Sequence, residues 1–347
     1  MNASCCLGSA LLLGLSACNA ARGTAGDAAA GHGSAGDRSY RVCADAGAPR
    51  PSAGRFRHDR SALIAAAAHP LHPVQDHFGA PGSTISVEAK FTYGRAGKDL
   101  EDEPVQLWLD DCSGAAKALA RASTDSDGRA RFELTVPPVA GEYALYVSVD
   151  GDGSTGAARL FAWPRGMQIV VSDIDGTLTT SDDEVSIDVL DEMFEDLRDG
   201  DYVAAAYPQG PELTQMWRAK GYPLVYLTGR PYWLLDHTRA WLRDGGYAPG
   251  LVRTTDRHRD VLPTESGVGG FKAAFLQQLR DAGYDIVAAY GNATTDVWAY
   301  AQASIPPAQT FIIGPHAGAG GTVAIQSDWR AALPLVRDHA AATTPAR

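Results

Sequence analysis

The fold expected for the second half of the chain depends on one stretch, Met167-Gln168-Ile169-Val170-Val171-Ser172-Asp173-Ile174-Asp175-Gly176-Thr177. Its opening residues form an apolar run of the kind found in the buried strands of parallel sheets. Two acids follow directly, two positions apart, and side chains at that spacing in extended backbone point to the same side. The stretch therefore predicts a central strand that ends in a pair of carboxylates.

Strand and helix patterns alternate after this stretch. Apolar runs predict further strands at 223–227, 251–252, 286–290 and 310–313, and helical spacing predicts helices at 190–197, 232–243, 270–282 and 295–303. This order predicts an α/β domain over residues 166–340, a doubly wound parallel sheet of the Rossmann-like kind. Ligands of such sheets bind at the carboxyl ends of the strands.

Residues 71–165 carry a different pattern, in which apolar residues alternate with polar ones. The stretch Thr84-Ile85-Ser86-Val87-Glu88-Ala89-Lys90-Phe91 is one example, and similar short runs follow between turn signals such as Asp127-Gly128. Short alternating strands at this spacing predict an antiparallel, immunoglobulin-like β-sandwich. No set of catalytic residues stands out in it.

Residues 1–18 have the features of a targeting segment. A short apolar run ends in Leu15-Ser16-Ala17-Cys18, which resembles the lipobox of bacterial lipoproteins. The resemblance implies cleavage before Cys18, acylation of Cys18, and a lipoprotein anchored to a membrane at its periplasmic or extracellular face. The alternative is an uncleaved start in which Cys18 is an ordinary thiol.

Residues 19–70 are rich in small and polar residues without an apolar period, and they predict a flexible tether. Cys43 lies in this segment, and Cys112 lies in the predicted sandwich. The two thiols would pair in an oxidising compartment or remain isolated, and spacing leaves both alternatives open.

Composition narrows the functional class. The 347 residues predict about two domains, and 45% hydrophobic with 20% charged residues is typical of a globular protein. Acids outnumber bases by 41 to 30, giving a net charge of −11. That excess argues against a nucleic-acid partner and against docking on anionic lipid by overall charge. No apolar run is long enough to predict a transmembrane helix.

The first candidate site feature is the acid pair itself. Carboxylates this close repel each other unless a cation lies between them, and carboxylate oxygens suit Mg²⁺. Such a pair also divides the work of phosphoryl transfer, because Asp173 can attack phosphorus while Asp175 moves a proton. The alternative is a solvated turn or a helix cap.

Three further features follow the later strands. Thr228-Gly229-Arg230 offers a hydroxyl and backbone N–H groups to a phosphate. Lys272 begins a helix, where the helix dipole disfavours a cation, and this conflict indicates a functional position. Asn292 and Asp296 offer oxygens to a cation. Taken singly, each feature has an alternative as a helix cap or a solvated side chain.

Together the four features resemble the four motifs of the haloacid dehalogenase superfamily of phosphatases. The resemblance implies that Asp173 is the nucleophile and Asp175 the general acid/base. It implies that Thr228 and Lys272 steady the phosphoryl oxygens and that Asn292 completes the Mg²⁺ site. Asp173 and the backbone carbonyl of Asp175 would also bind the Mg²⁺, and Asp296 would be a water-mediated ligand or an orienting group.

Three stretches resemble the catalytic domain of lipins, the Mg²⁺-dependent phosphatidate phosphatases: Val171-Ser-Asp-Ile-Asp-Gly-Thr, Tyr226-Leu-Thr-Gly-Arg-Pro231 and residues 290–300. The resemblance implies a hydrolase acting through an aspartyl-phosphate on phosphatidate or a related membrane lipid. One alternative is a phosphomonoesterase for a small soluble substrate. The other is a catalytically silent lipid-binding module, as in lipin-like domains of phosphatidylinositol-transfer proteins.

A basic run precedes Lys272 and includes Arg253, Arg257, His258 and Arg259. It could line the mouth of the site and attract a lipid headgroup. A solvated loop is the alternative explanation.

Overall fold

The computed structural model describes residues 40–43, 47–94, 97–180, 204–256, 258–262 and 264–343. The predicted signal segment with Cys18, the predicted helix at 190–197, and Arg257 lie outside these residues. Residues Arg38–Arg347 form one compact unit. Within the described residues, no helix is both long enough and apolar enough to cross a membrane.

The first half of this unit is built from strands. A sheet in the order β3-β11-β10-β7-β8, with β1 beside β10, shares a core with the antiparallel pair β4–β9, and β2, β5 and β6 form a small third sheet. The strands are β1 Arg41–Val42, β2 Pro70–Leu71, β3 His77–Gly79, β4 Thr84–Lys90, β5 Thr92–Tyr93, β6 Lys98–Asp99, β7 Pro104–Asp110, β8 Lys117–Ser123, β9 Arg129–Thr135, β10 Gly141–Val149 and β11 Thr155–Ala162.

The second half contains a six-stranded sheet in the order β14-β13-β12-β15-β16-β17, and every strand pair in it is parallel. Its central strands are buried among apolar side chains on both faces. Its strands are β12 Gln168–Ser172, β13 Leu224–Pro231, β14 Gly250–Thr255, β15 Asp285–Gly291, β16 Thr310–Ile313 and β17 Val323–Ile325.

The described helices are few and short. Four of them lie between strands of the parallel sheet, and one lies at each end of the described chain. They are α1 Asp59–Ala67, α2 Gly210–Ala219, α3 Leu235–Asp244, α4 Gly270–Asp281, α5 Thr294–Gln302 and α6 Leu333–Asp338.

The fold class expected from the sequence is wrong as a description of this protein. Most described elements are strands in four sheets, and the connection from β16 to β17 has no α-helix. That connection is rich in glycine, and Gly318 and Gly320 have φ of +83° and +63°, which helical backbone does not allow. The first half also departs from an antiparallel sandwich, because β1–β10 and β3–β11 are parallel pairs.

Part of the segment expected to be a tether is structured. Residues Asp59–Ala67 form α1, and β1 pairs with β10. A disulfide joins Cys43 to Cys112, which confirms the pairing that the sequence left open. The division at residue 165 between two domains stays a prediction.

Candidate functional site

Asp173 lies at the carboxyl end of β12, in the middle of the parallel sheet. Its backbone N–H donates to the carbonyl of Tyr290 in β15, 2.9 Å away, which fixes the chain as it leaves the sheet. The side chain is 3% exposed. Its Oδ1 accepts from Lys272 Nζ at 2.6 Å and its Oδ2 from Thr177 Oγ1 at 3.0 Å. Asp173 is therefore buried but hydrogen-bonded at both oxygens.

Lys272 joins two of the predicted site residues. Its Nζ donates to Asp173 Oδ1 and to Asp296 Oδ1, both at 2.6 Å, and its side chain is 4% exposed. A buried ammonium is tolerated when it is paired in this way. The position at the first turn of α4, against the helix dipole, is explained by these two carboxylates.

The pKa values follow from this burial. Burial raises the pKa of Asp173 to about 7, with the ammonium of Lys272 opposing the rise and the carboxylate of Asp296 adding to it. For Lys272, burial lowers the pKa, but attraction to the two carboxylates outweighs it and holds the pKa above its ordinary value. Lys272 therefore remains a cation at neutral pH.

Asp175 makes a second ion pair, with a buried arginine. Arg230 Nε donates to both carboxylate oxygens of Asp175 at 3.0 Å and Nη2 donates to Oδ1 at 2.7 Å, while Thr228 Oγ1 donates to Oδ2 at 2.9 Å. Arg230 is 1% exposed, and Nη1 lies 3.3 Å from Thr238 Oγ1. The Thr228 and Arg230 groups that were expected to contact a phosphate therefore donate to the Asp175 carboxylate in this structure.

Asn292 and Asp296 have different surroundings. Asn292 Oδ1 lies 3.1 Å from Thr177 Oγ1, so it and Asp173 Oδ2 are alternative acceptors for the single proton of one hydroxyl. Asp296 is fully buried, and its Oδ2 accepts from the backbone N–H groups of Asn292 and Ala293 at 3.1 Å. Asp296 therefore caps α5 and pairs with Lys272, and both its oxygens already have donors.

Two glycines allow the close packing of the site. A Cβ on Gly176 would lie 2.0 Å from Asn292 Nδ2, and one on Gly229 would lie 2.9 Å from the Val268 side chain. Gly176 also has φ of +72°. The loop after β12 can approach Asn292 only because position 176 lacks a side chain.

Among the residues that the structure describes, no group of three or more His, Cys, Asp or Glu side chains is placed to hold a metal ion. Two oxygens, Asp173 Oδ2 and Asn292 Oδ1, are of the kind that a hard cation prefers. They lie near each other, because they are 3.0 Å and 3.1 Å from the same atom, Thr177 Oγ1. The side chains of Asp175 and Asp296 pair with Arg230 and Lys272, while the backbone carbonyl of Asp175 stays a predicted ligand.

The sequence left Thr177 without a role, although it lies in the decisive stretch and bridges Asp173 and Asn292. Its carbonyl accepts from Trp329 Nε1 at 2.8 Å, a contact that no local pattern indicates. Of the basic run, the structure describes the side chain of Arg253, and those of Arg257, His258 and Arg259 lie outside what it describes. Arg253 pairs with Asp256 and lies over the rings of Phe271 and Phe275.

Residues 170–314 match the LNS2 domain of PITM 1-3. This interval contains every strand-end residue described above. The chain is 31% identical over 252 residues to the human membrane-associated phosphatidylinositol transfer protein 1, covering 70% of this chain and 18% of that protein. It is 28% identical over 249 residues to the Drosophila melanogaster protein retinal degeneration B, covering 70% of this chain and 18% of that one.

The human membrane-associated phosphatidylinositol transfer protein 3 matches at 28% identity over 250 residues, covering 70% of this chain and 23% of that protein. The chain thus spans about a fifth of the length of these relatives. Among solved structures, the sensor domain of the anti-sigma factor RsgI4 of Pseudobacteroides cellulosolvens aligns at 10% identity and a TM-score of 0.22, covering 27% of this chain and 93% of that domain. A likeness that weak carries no functional weight.

These matches correct the expected enzyme. The matching family model is an LNS2 domain and the two human relatives are named phosphatidylinositol transfer proteins, so the expectation of a haloacid dehalogenase or lipin-type phosphatase, a hydrolase, is wrong. In the structure, Asp175, the expected acid/base, pairs with the buried Arg230. Strand-end motifs specify a geometry, and geometry alone does not specify a reaction.

The expected location is corrected too. The two human relatives are named membrane-associated phosphatidylinositol transfer proteins. A signal peptide with an acylated Cys18 at a periplasmic or extracellular face therefore finds no support. The expected lipid anchor likewise finds no support, and Cys18 lies outside the described residues.

Proposed function

We propose that the strand-end site binds the phosphate of an anionic membrane phospholipid without hydrolysing it. The match of residues 170–314 to an LNS2 domain and the names of the relatives support a lipid partner. The proposal that the lipid is not hydrolysed rests on the ion pair between Asp175 and Arg230. Proton transfer requires a carboxylate that can change its partner, and both oxygens of Asp175 are committed to Arg230 and Thr228.

We also infer that Mg²⁺ takes part in this binding. When the carboxylates of Asp173, Asp175 and Asp296 are all ionised, they face two cations, Lys272 and Arg230, and these five side chains have a net charge of −1. A phosphate would be repelled. Mg²⁺ held by Asp173 and Asn292 would reverse the sign and supply an electrostatic contact to phosphate oxygens.

Lys272 has a direct part in the same proposal. An ammonium group has three N–H donors, and the two carboxylates take one each. The third is available to a phosphate oxygen. The whole chain has a charge of −11, so attraction of an anionic lipid has to come from such local contacts.

Sedimentation of the full chain with lipid vesicles tests the proposal. Vesicles of phosphatidylcholine alone are compared with vesicles containing phosphatidylinositol or phosphatidate, in Mg²⁺ or in EDTA, and inorganic phosphate is measured in the same samples. We expect binding to the anionic vesicles that depends on Mg²⁺, with no phosphate released. Equal binding to phosphatidylcholine would contradict headgroup recognition, and enzymatic phosphate release would contradict the silent character.

Asp173→Asn provides the matched variant. It removes the charge that would hold Mg²⁺, and we expect a loss of affinity of about tenfold or more, equivalent to about 1.4 kcal/mol. The control is Asp244→Asn, because the Asp244 side chain is 68% exposed and pairs with its neighbour Arg243. Unchanged Mg²⁺-dependent binding by Asp173→Asn would show that the lipid binds elsewhere.

A further inference from the structure

Trp329 reaches the strand-end site from a distant part of the chain. It follows β17 in the C-terminal segment, and its side chain is fully buried. Its indole Nε1 donates to the backbone carbonyl of Thr177 at 2.8 Å, across 152 positions of sequence. Thr177 is itself fully buried, so without this donor its carbonyl would lose a partner that water could not replace.

The hydrogen bond reaches the loop at the point where the loop supports the site. Within the loop, the N–H of Leu178 donates to the carbonyl of Ile174 at 2.7 Å, a bond that shapes the loop without fixing it to the sheet. The side chain of Thr177 places its Oγ1 3.0 Å from Asp173 Oδ2 and 3.1 Å from Asn292 Oδ1. The indole bond therefore fixes the backbone of the residue that lies between these two oxygens.

The ring of Trp329 makes a second contact with the support of the site. It packs against the ring of Tyr290 in a T-shaped arrangement, with ring centroids 5.2 Å apart. The backbone carbonyl of Tyr290 accepts from the N–H of Asp173 at 2.9 Å. Trp329 thus contacts both residues that hold Asp173 at this end of β12, Thr177 by its N–H and Tyr290 by its ring.

The backbone around Trp329 is anchored away from the site. The side chain of Asp328 caps the short 3₁₀ turn Trp329–Ala331, and α6 follows this turn. Just after α6, the carbonyl of His339 accepts from Lys220 Nζ at 2.6 Å. Packing of the C-terminal segment on the second half of the molecule therefore sets the position of the indole before any ligand binds.

We propose that Trp329 is a positioning residue for the strand-end site. Its indole N–H holds the loop at Thr177 so that the oxygens of Asp173 and Asn292 stay close together for Mg²⁺. The inference rests on the proposed binding of Mg²⁺ by those two residues. Groups that orient the ligands of a metal ion commonly change its affinity by about 10- to 100-fold when they are removed.

Calorimetric titration of the full chain with Mg²⁺ tests this role. Trp329→Phe removes the N–H donor and keeps an aromatic ring, and we expect it to weaken Mg²⁺ binding about tenfold or more. The control is Trp163→Phe. Trp163 is also fully buried, and its Nε1 donates to the hydroxyl of Tyr40 at 3.1 Å, but it precedes the start of β12 whereas Asp173 follows the end.

Mg²⁺ affinity distinguishes positioning from packing, because both variants lose a buried indole hydrogen bond. We expect Trp163→Phe to bind Mg²⁺ as the unmodified chain does. Equal weakening in the two variants, or unchanged affinity in Trp329→Phe, would overturn the inference while leaving the proposed Mg²⁺ site intact. If the unmodified chain binds no Mg²⁺, the proposed part of Mg²⁺ is itself contradicted, and the inference with it.

A measurement on the unmodified chain keeps the test decisive if Trp329→Phe folds poorly. Mg²⁺ at Asp173 and Asn292 would take both acceptors of the Thr177 hydroxyl, and we expect this change to reach the indole through the Thr177 carbonyl. The NMR signal of the Trp329 indole N–H should then shift during a Mg²⁺ titration, while that of Trp163 stays in place. A Trp329 signal that does not move when Mg²⁺ saturates the chain would also overturn the inference.

Discussion

The guanidinium of Arg230 is the charge on which the strand-end site depends most. It is 1% exposed and holds both oxygens of Asp175, which is itself 27% exposed. Its plane also lies over the ring of Trp241, at 5.7 Å. Removing one member of a buried pair leaves the other uncompensated, and this is more destabilising than loss of an exposed pair.

We therefore expect Arg230→Met to lower the free energy of unfolding by about 3 kcal/mol. Arg330→Met is the control, because Arg330 pairs with Asp328 while its side chain is 72% exposed, and it should cost less than about 1 kcal/mol. Urea unfolding followed by tryptophan fluorescence measures both.

The double variant Arg230→Met with Asp175→Asn sharpens this test. Neutralising Asp175 removes the uncompensated charge, so part of the lost stability should return. Equal losses for Arg230→Met and Arg330→Met would contradict the view that Arg230 is a buried structural cation.

At the scale of elements, the two ends of β12 differ in how their glycines are used. Gly166 precedes the strand with φ of +80°, and no atom lies within 4 Å of where its Cβ would be. Gly176 follows the strand with φ of +72°, but its Cβ would meet the Asn292 side chain. Comparing substitutions at Gly166 and Gly176 therefore distinguishes the cost of a positive φ from the cost of a steric clash with Asn292.

We expect Gly166→Ala to cost about 1 kcal/mol, the strain of a positive φ alone. Gly176→Ala should cost at least about 1 kcal/mol more, because Asn292 must move away from the loop. Thermal unfolding of the two variants measures the difference. Equal melting temperatures would show that Asn292 yields freely and does not fix the loop.

On the scale of the whole molecule, Asp76 connects the two halves. Its Oδ1 accepts from Arg239 Nη2 in α3 at 2.6 Å and from the backbone N–H of Arg159 in β11 at 2.8 Å. Its Oδ2 accepts from the backbone N–H of Val252 in β14 at 2.8 Å. One buried carboxylate therefore satisfies donors from a first-half strand, a helix and the edge of the parallel sheet.

Asp76→Ala should lower the free energy of unfolding by about 3 kcal/mol, because three donors lose their acceptor. Asp236→Ala is the control, since Asp236 contacts the same Arg239 at 3.2 Å but is 65% exposed, and it should cost less than about 1 kcal/mol. Limited proteolysis near residue 165 should accelerate only in Asp76→Ala. Equal effects of the two variants would show that the halves are joined elsewhere.

Local pattern was sufficient for most elements of the parallel sheet. The strand expected at 310–313 is Thr310–Ile313, and the helix expected at 270–282 is Gly270–Asp281. Apolar runs and helical spacing are properties of residues close together in the sequence, so strands and helices can be predicted from them without knowing the fold. β1 and β17 were missed because two or three residues carry no period, and the glycines between β16 and β17 decided against a helix there.

The sequence alone also indicated which polar and charged residues would lie close together. Asp173, Lys272, Asn292 and Asp296 follow or begin elements of one parallel sheet, and its topology brings their carboxyl-end loops to one edge. Only the tertiary structure decided which partner each charge takes. Arg230 binds Asp175, and Lys272 lies between two carboxylates, because those pairings depend on side-chain directions set by strands far apart in sequence. Burial then makes each pairing hard to exchange, since a charge released inside the protein has no water to replace its partner.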